Sequence, residues 1–295
     1  MTQALQILTR GLGIGSVYAL LALGFVIIYK STRVISFAQP AFMLAGAVMV
    51  SYFVGPLGFF VALPAAALGT GLLALGVERV AVRPMIGRPV FAVAIITLGI
   101  DVVVRVLTNP FIGIQLRHVG DPWGLKSTRI AGVEVQQRHV AMIVTTAVLV
   151  TALFAFFRFT RMGLAMRAAA YDQEAALAQG VSVGAVFALS WGFAGALAAV
   201  GGTFAAVGGS VEHTLWLIAL VALPVIILGG LDSLPGAVIG GLVVGVVQEL
   251  VAEYQRLFPA WLGGNIAIIS PYVLMLLVLL VRPYGLFGTR EVERV

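Results

Sequence analysis

Residues Gly11 to Tyr29 read GLGIGSVYALLALGFVIIY, nineteen consecutive positions without a charge. A helix needs roughly 20 apolar residues to cross about 30 Å of hydrocarbon, so this run admits few folds other than a membrane-spanning one. Further runs of the same kind lie at 38–54, 57–77, 90–107, 140–157, 184–208, 215–230, 235–251 and 266–281. Composition closes the soluble alternative. The 295 residues are 61% hydrophobic and 10% charged, against about 25% charged in ordinary soluble domains, which leaves too little polar surface to cover a globule. A transmembrane barrel would show alternating segments of about 10 residues, and these runs do not alternate. The expected fold is therefore all-α: a polytopic transmembrane bundle forming one domain over 1–295, with nine spans or, as the alternative, eight. The segment beginning beside Pro40 is a candidate for a broken helix. The pair separated only by LDSLP (231–235) reads either as two short half-helices or as a re-entrant hairpin.

Lysines and arginines orient the bundle. With the N-terminus outside, the inner segments hold Lys30, Arg33, Arg79, Arg83, Arg88, Arg158, Arg161, Arg167, Arg282, Arg290 and Arg294; the outer ones hold Arg10, Arg117, Lys126, Arg129, Arg138 and Arg256. Eleven against six favours N-outside and C-inside, because basic residues accumulate on the cytoplasmic face. The +6 formal charge is thereby ascribed to loops near lipid rather than to nucleic acid. The first apolar run is too long for a signal-peptide core and lacks a small-residue cleavage pattern, so it is expected to remain as a helix. Thirty-five glycines, many at small-xxx-small spacing as in GAVIGGLVVG, suit close helix packing in lipid.

Several chemistries have no residues to carry them. There is no cysteine, and neither Lys30 nor Lys126 sits in a Gly-x-x-x-x-Gly-Lys-Ser/Thr loop, so the chain has no P-loop for ATP. His118, His139 and His213 are far apart, with no visible metal ligand set and no catalytic constellation. Asp101 and Arg105 stand four apart within a span. Ionisable groups at membrane depth are functional candidates, yet an i, i+4 pair can neutralise itself on one helix face, and the structural reading is the favoured one. Glu78 and Glu249 are placed by the spans near membrane interfaces.

Against this apolar background, AYDQEAALAQG (170–180) is a polar insert too short to span. Asp172 can cap a helix, Glu174 falls in its first turn, and Gly180 suits a left-handed C-terminal stop. The result is a rod of roughly 12 Å. It reads either as an interfacial loop helix or as a protruding element that fits a groove on another protein.

Glu174-Ala175-Ala176, followed by three residues and then Gly180, resembles the EAA motif of ATP-binding-cassette importer permeases. The wider sequence is similar to the branched-chain amino acid permease family: GSVYALLALGFVIIY (15–29), ISFAQPAFMLAGA (35–47), ERVAVRP (78–84), TRMGLAMRAAAYDQEAALAQGV (160–181), ILGGLDSLPGAVIGG (227–241) and RPYGLFG (282–288) occur in the family's order over nearly the whole chain. Ser36, Pro40 and Asp232 depart from the residues usual at those positions.

The resemblance implies a permease subunit that forms half of a pathway. It would pair with a second homologous permease, in a heterodimer, and bind two ATPase subunits that carry ATP and its magnesium ion, no cofactor residing in this chain. An extracytoplasmic solute-binding protein would deliver the solute. By that resemblance, the loop 158–183 is a cytoplasmic coupling segment in which Arg167, Asp172, Glu174, Ala175, Ala176 and Gly180 dock the ATPase. Phe37, Gln39, Pro40, Thr97, Gly229, Gly230, Asp232 and Ser233 are assigned to the path. The outer loop 108–139, with Arg117, Lys126, Arg129 and Arg138, either meets acidic groups of the binding protein or is simply solvated. The rival class is a stand-alone secondary transporter or channel.

Overall fold

The computed structural model describes residues 2–85, 88–113, 117–130, 133–257, 259 and 265–288. Arg290 and Arg294, counted above in the inner charge, lie outside them. Among the described residues seven helices are long and apolar enough to cross a membrane, and two shorter apolar segments, Leu217–Gly229 and Ile266–Val281, accompany them. The bundle is thus helical throughout, apart from one small hairpin.

Helix α1 (Thr2–Thr32) is the central post. At 31 residues it measures about 46 Å, and its apolar window is almost wholly buried. Helix α11 (Leu234–Glu253) runs antiparallel beside it. Gly15 faces Gly241 and Leu242; a Cβ there would come within 2.8 Å of their backbone atoms, so only glycine permits the approach. Toward the C-terminal end of α11, Tyr18 Oη donates to Gln248 Oε1 at 2.7 Å and Arg10 lies 3.8 Å from Glu249. Helix α8 (Val183–Ala206) covers another side of α1 and carries Trp191, packed edge-on against Phe42 at 6.0 Å.

Helices α2 (Gln39–Leu57) and α3 (Phe59–Val77) pack on α8. Helices α4 (Val90–Ile112) and α5 (Gln137–Phe159) stand at the periphery. Leu68 and Leu72 of α3, Val103 of α4 and Val148 of α5 are large apolar residues left exposed, which a lipid solvent accommodates. Glu78 follows directly on the end of α3, as expected. It lies in a π-helical turn (Glu78–Val82), is fully buried, and receives two hydrogen bonds from Arg83, at 3.1 and 3.2 Å. A carboxylate removed from water needs such a partner.

Two local expectations are resolved. Helix α2 is continuous, not broken: Pro40 stands in its first turn, where a missing N–H costs nothing because those donors are unpaired anyway. The LDSLP pair is asymmetric. Short helices α9 (Leu217–Leu220) and α10 (Ala222–Gly229) meet at a break at Val221, whereas α11 is full length. Pro224 accounts for the break, since its ring and missing N–H oppose a continuous helix one turn back. Helix α12 (Ile266–Val281) takes the predicted bounds. The connection after α4 contains strands β1 (Ser127–Ile130) and β2 (Val133–Gln136), an antiparallel hairpin that sequence reading treated as plain loop.

Candidate functional site

The connection between α5 and α8 folds as two rods, α6 (Arg161–Tyr171) and α7 (Gln173–Ala178). Thr160 caps α6 by accepting from Gly163 N at 2.9 Å. Asp172 holds an extended conformation, φ −150° and ψ 111°, and its Oδ1 accepts from Ala175 N at 3.0 Å. This extended cap residue separates the rods and shortens α7 to six residues, about 9 Å. Glu174 lies in the first turn, near the positive end of the helix dipole. Gly180 follows at φ +80°, a left-handed conformation that favours glycine.

Two long-range hydrogen bonds fasten these rods to the end of α1. Gln173 Nε2 donates to Ser31 O at 2.7 Å, and Arg33 Nη2 donates to Ala170 O at 2.9 Å. Both acceptors lie in the last turn of a helix, where carbonyls lack partners inside the helix. Arg33 adopts φ +58°, the one left-handed non-glycine among the described residues. Sequence reasoning missed both Arg33 and Gln173, because contacts spanning 137 and 142 positions leave no periodic signature.

On α7, Ala176 is buried and Gln173 half-buried, while Glu174, Ala175, Leu177 and Ala178 are exposed. Tyr171, at the end of α6, is 92% exposed, and Leu177 is 55% exposed. Arg167 is exposed one turn before Tyr171. It lies on α6 and lines a cavity of about 610 Å³ with Lys30 and Arg158.

The residues assigned to the path fall into two clusters. In the first, Phe37 N donates to Thr97 Oγ1 at 3.0 Å, tying the start of α2 to α4. Gln39 is fully buried against Gly24; its Nε2 donates to Ala194 O at 3.1 Å, and its Oε1 has no hydrogen-bond partner among the described residues. Pro40 is buried beside it. The second cluster is the turn between α10 and α11. Ser233 caps α11 by accepting from Gly236 N at 3.0 Å, and Gly230 turns the chain at φ +104°. The segment after α12 clasps this turn: Leu286 N donates to Leu228 O at 2.8 Å and Phe287 N to Gly229 O at 3.1 Å. Asp232 lines a smaller cavity of about 190 Å³ with Tyr29 and Arg33.

Asp101 and Arg105 form the pair expected on one helix face, with Nη2 2.6 Å from Oδ2, and the guanidinium also lies 4.0 Å over the Trp216 ring. At the opposite end of the bundle, Arg117 stacks over Tyr52 at 3.8 Å, Arg129 pairs with Glu134 at 3.4 Å, Arg138 donates to Gln136, and Lys126 is exposed.

Residues 7–281 match the family model described as branched-chain amino acid transport system, permease component. The chain is 30% identical to the high-affinity branched-chain amino acid transport system permease protein LivH of Salmonella typhimurium, over 99% of this chain and 97% of that one. It is 28% identical to BraD of Pseudomonas aeruginosa, over 99% and 98%, and 27% identical to a probable LivH of Methanocaldococcus jannaschii, over 91% and 88%. Among solved structures, PsaBC from Streptococcus pneumoniae in complex with Fab superposes with a TM-score of 0.50 at 13% identity, over 95% of this chain and 91% of that one, a likeness of fold. This chain therefore belongs to the branched-chain amino acid transport permease family and is a multi-pass permease subunit of an ATP-binding-cassette importer.

Proposed function

We propose that this subunit forms half of a translocation pathway for branched-chain amino acids or similar small solutes, and that α7 is where an ATPase subunit drives it. One observation carries the reading. A short helix presents Glu174, Ala175, Leu177 and Ala178 outward beside Tyr171 at the end of α6, while Gln173 fastens α7 and Arg33 fastens the end of α6 to the end of α1. Exposed large apolar side chains on a rigid protrusion suit insertion into a protein groove. The fastening gives displacement of α7 a direct route into the central helix. The segment that follows α1 leads within a few residues to Phe37, Gln39 and Pro40, the first of the two candidate path clusters.

In this reading Asp172, Glu174, Ala175, Ala176 and Gly180 shape the docking helix, and Arg167 stands beside it on α6. A second, homologous permease completes the pathway, two ATPase subunits hold ATP and magnesium below, and a solute-binding protein docks at the hairpin end. That places the N-terminus outside and the C-terminus in the cytoplasm, as the charge distribution supports. Reconstitution with the partner subunits and binding protein tests it. Uptake should require ATP hydrolysis and stop when ATP is depleted. Uptake that persists without ATP, with no ATPase copurifying from the native membrane, would make the chain a stand-alone transporter instead.

A further inference from the structure

We propose that the cavity between the ends of α1, α5 and α6 is a binding site for one anionic phospholipid of the surrounding membrane. The cavity measures about 610 Å³, within the roughly 300–1,000 Å³ typical of small-ligand sites. Its walls are apolar: Ile27, Phe154, Phe157, Met166 and Leu234. Its rim carries three cations, Lys30 in the last turn of α1, Arg158 in the last turn of α5, and Arg167 on α6. No carboxylate lines it, and neither Arg158 nor Arg167 forms an ion pair among the described residues.

This distribution selects the ligand class. A free inorganic anion would meet the cations but gain nothing from two phenylalanines, an isoleucine, a leucine and a methionine. A neutral acyl chain would use the walls and ignore the charges. An amphiphile with an anionic head and a hydrocarbon tail satisfies both, the phosphate at Lys30, Arg158 and Arg167 and the first part of a chain between Phe154 and Phe157. Basic pockets between spanning helices at a membrane surface are suited to such headgroups. The bilayer is the nearest source, because the cations stand where the spanning helices α1 and α5 end. The site adjoins the root of α7, since Ser31 and Ala170 line it and also accept the hydrogen bonds that fasten the rods, but it does not depend on the transport reading.

Native mass spectrometry of the full chain in detergent, titrated with phosphatidylglycerol and separately with phosphatidylcholine, tests the proposal. One phosphatidylglycerol should be retained well above the concentration series for phosphatidylcholine. The double variant Lys30→Gln/Arg158→Gln should bind it roughly 30-fold more weakly, at a little over fivefold per cation. Ala170→Phe, which narrows the cavity and leaves its charges in place, should also reduce retention. Arg79→Gln/Arg88→Gln, which removes two exposed cations at the same end but outside the cavity, should change nothing, and all variants should remain monodisperse. Equal retention of the two lipids, unchanged retention in the double variant and in Ala170→Phe, or full displacement by inorganic phosphate alone would each overturn the proposal.

Discussion

The two long connections of this bundle solve the same problem in opposite ways. The described residues of 113–136 pack on one another and on the neighbouring helices. Asp121 Oδ1 accepts from the N–H groups of Trp123 and Gly124, the β1–β2 hairpin folds back, and Trp123 stacks on Phe204 at 6.0 Å and meets Phe59 edge-on at 5.2 Å. Arg117, Arg129 and Arg138 each have a partner within the chain. Residues 160–182 instead build rods, tie them down at their root, and leave Tyr171, Glu174 and Leu177 outward. The first connection is anchored along much of its length and leaves Leu125 and Lys126 exposed; the second is anchored at its root and leaves one face of a helix exposed. Family membership shows that the chain is a permease subunit, and this contrast is the basis for proposing α7 as the place where the driving partner engages.

Substitutions that attack each connection separately should keep the contrast apart. The largest stability effect belongs to the self-contained side. Trp123→Ala should cost about 3 kcal/mol, seen as a lower melting temperature and faster proteolysis of 113–136, with ATPase association intact. Arg33→Leu removes a charged donor from Ala170 O and should cost about 1.5–3 kcal/mol locally; its larger signature is ATP hydrolysis that continues while uptake falls, measured as the uptake-to-hydrolysis ratio. Asp172→Ala removes the cap on Ala175 N, at about 1 kcal/mol, and should appear as faster amide exchange confined to 173–178. Arg129→Ala breaks an exposed pair and should change stability by less than about 1 kcal/mol, with assembly unaffected. Equal effects of Arg33→Leu and Trp123→Ala on coupling would erase the distinction between the two connections.

What the sequence makes legible here follows the range of the interaction. Spans come from runs of apolar residues, and α12 falls within its predicted bounds because nothing but local composition defines it. The cap at Asp172 and the stop at Gly180 are equally local, so their geometry was readable three residues at a time. Pro40 was misread because a proline opens a helix as readily as it breaks one, and the choice rests on whether it sits in the first turn. The hairpin was missed although Ala131-Gly132 between short β-branched runs is a turn signal; four-residue strands carry too little alternation to stand out. Glu78 lies at the end of its span as read, but its buried pairing with Arg83 carried no local signal. The fastening of α7 to α1 and the cavity beside it arise only when helices far apart in sequence are brought together, and no local pattern announces them.

The central claim is that an ATPase subunit engages α7, and Glu174→Arg tests it most directly. Glu174 is exposed and touches no other element through a hydrogen bond or ion pair among the described residues, so its reversal should leave the bundle's melting temperature unchanged. Copurification of the ATPase subunit with the Glu174→Arg permease, compared with the unmodified chain, is the measurement. The account predicts that association falls at least tenfold and that ATP-driven uptake falls with it. Full association and full uptake in the variant would contradict it.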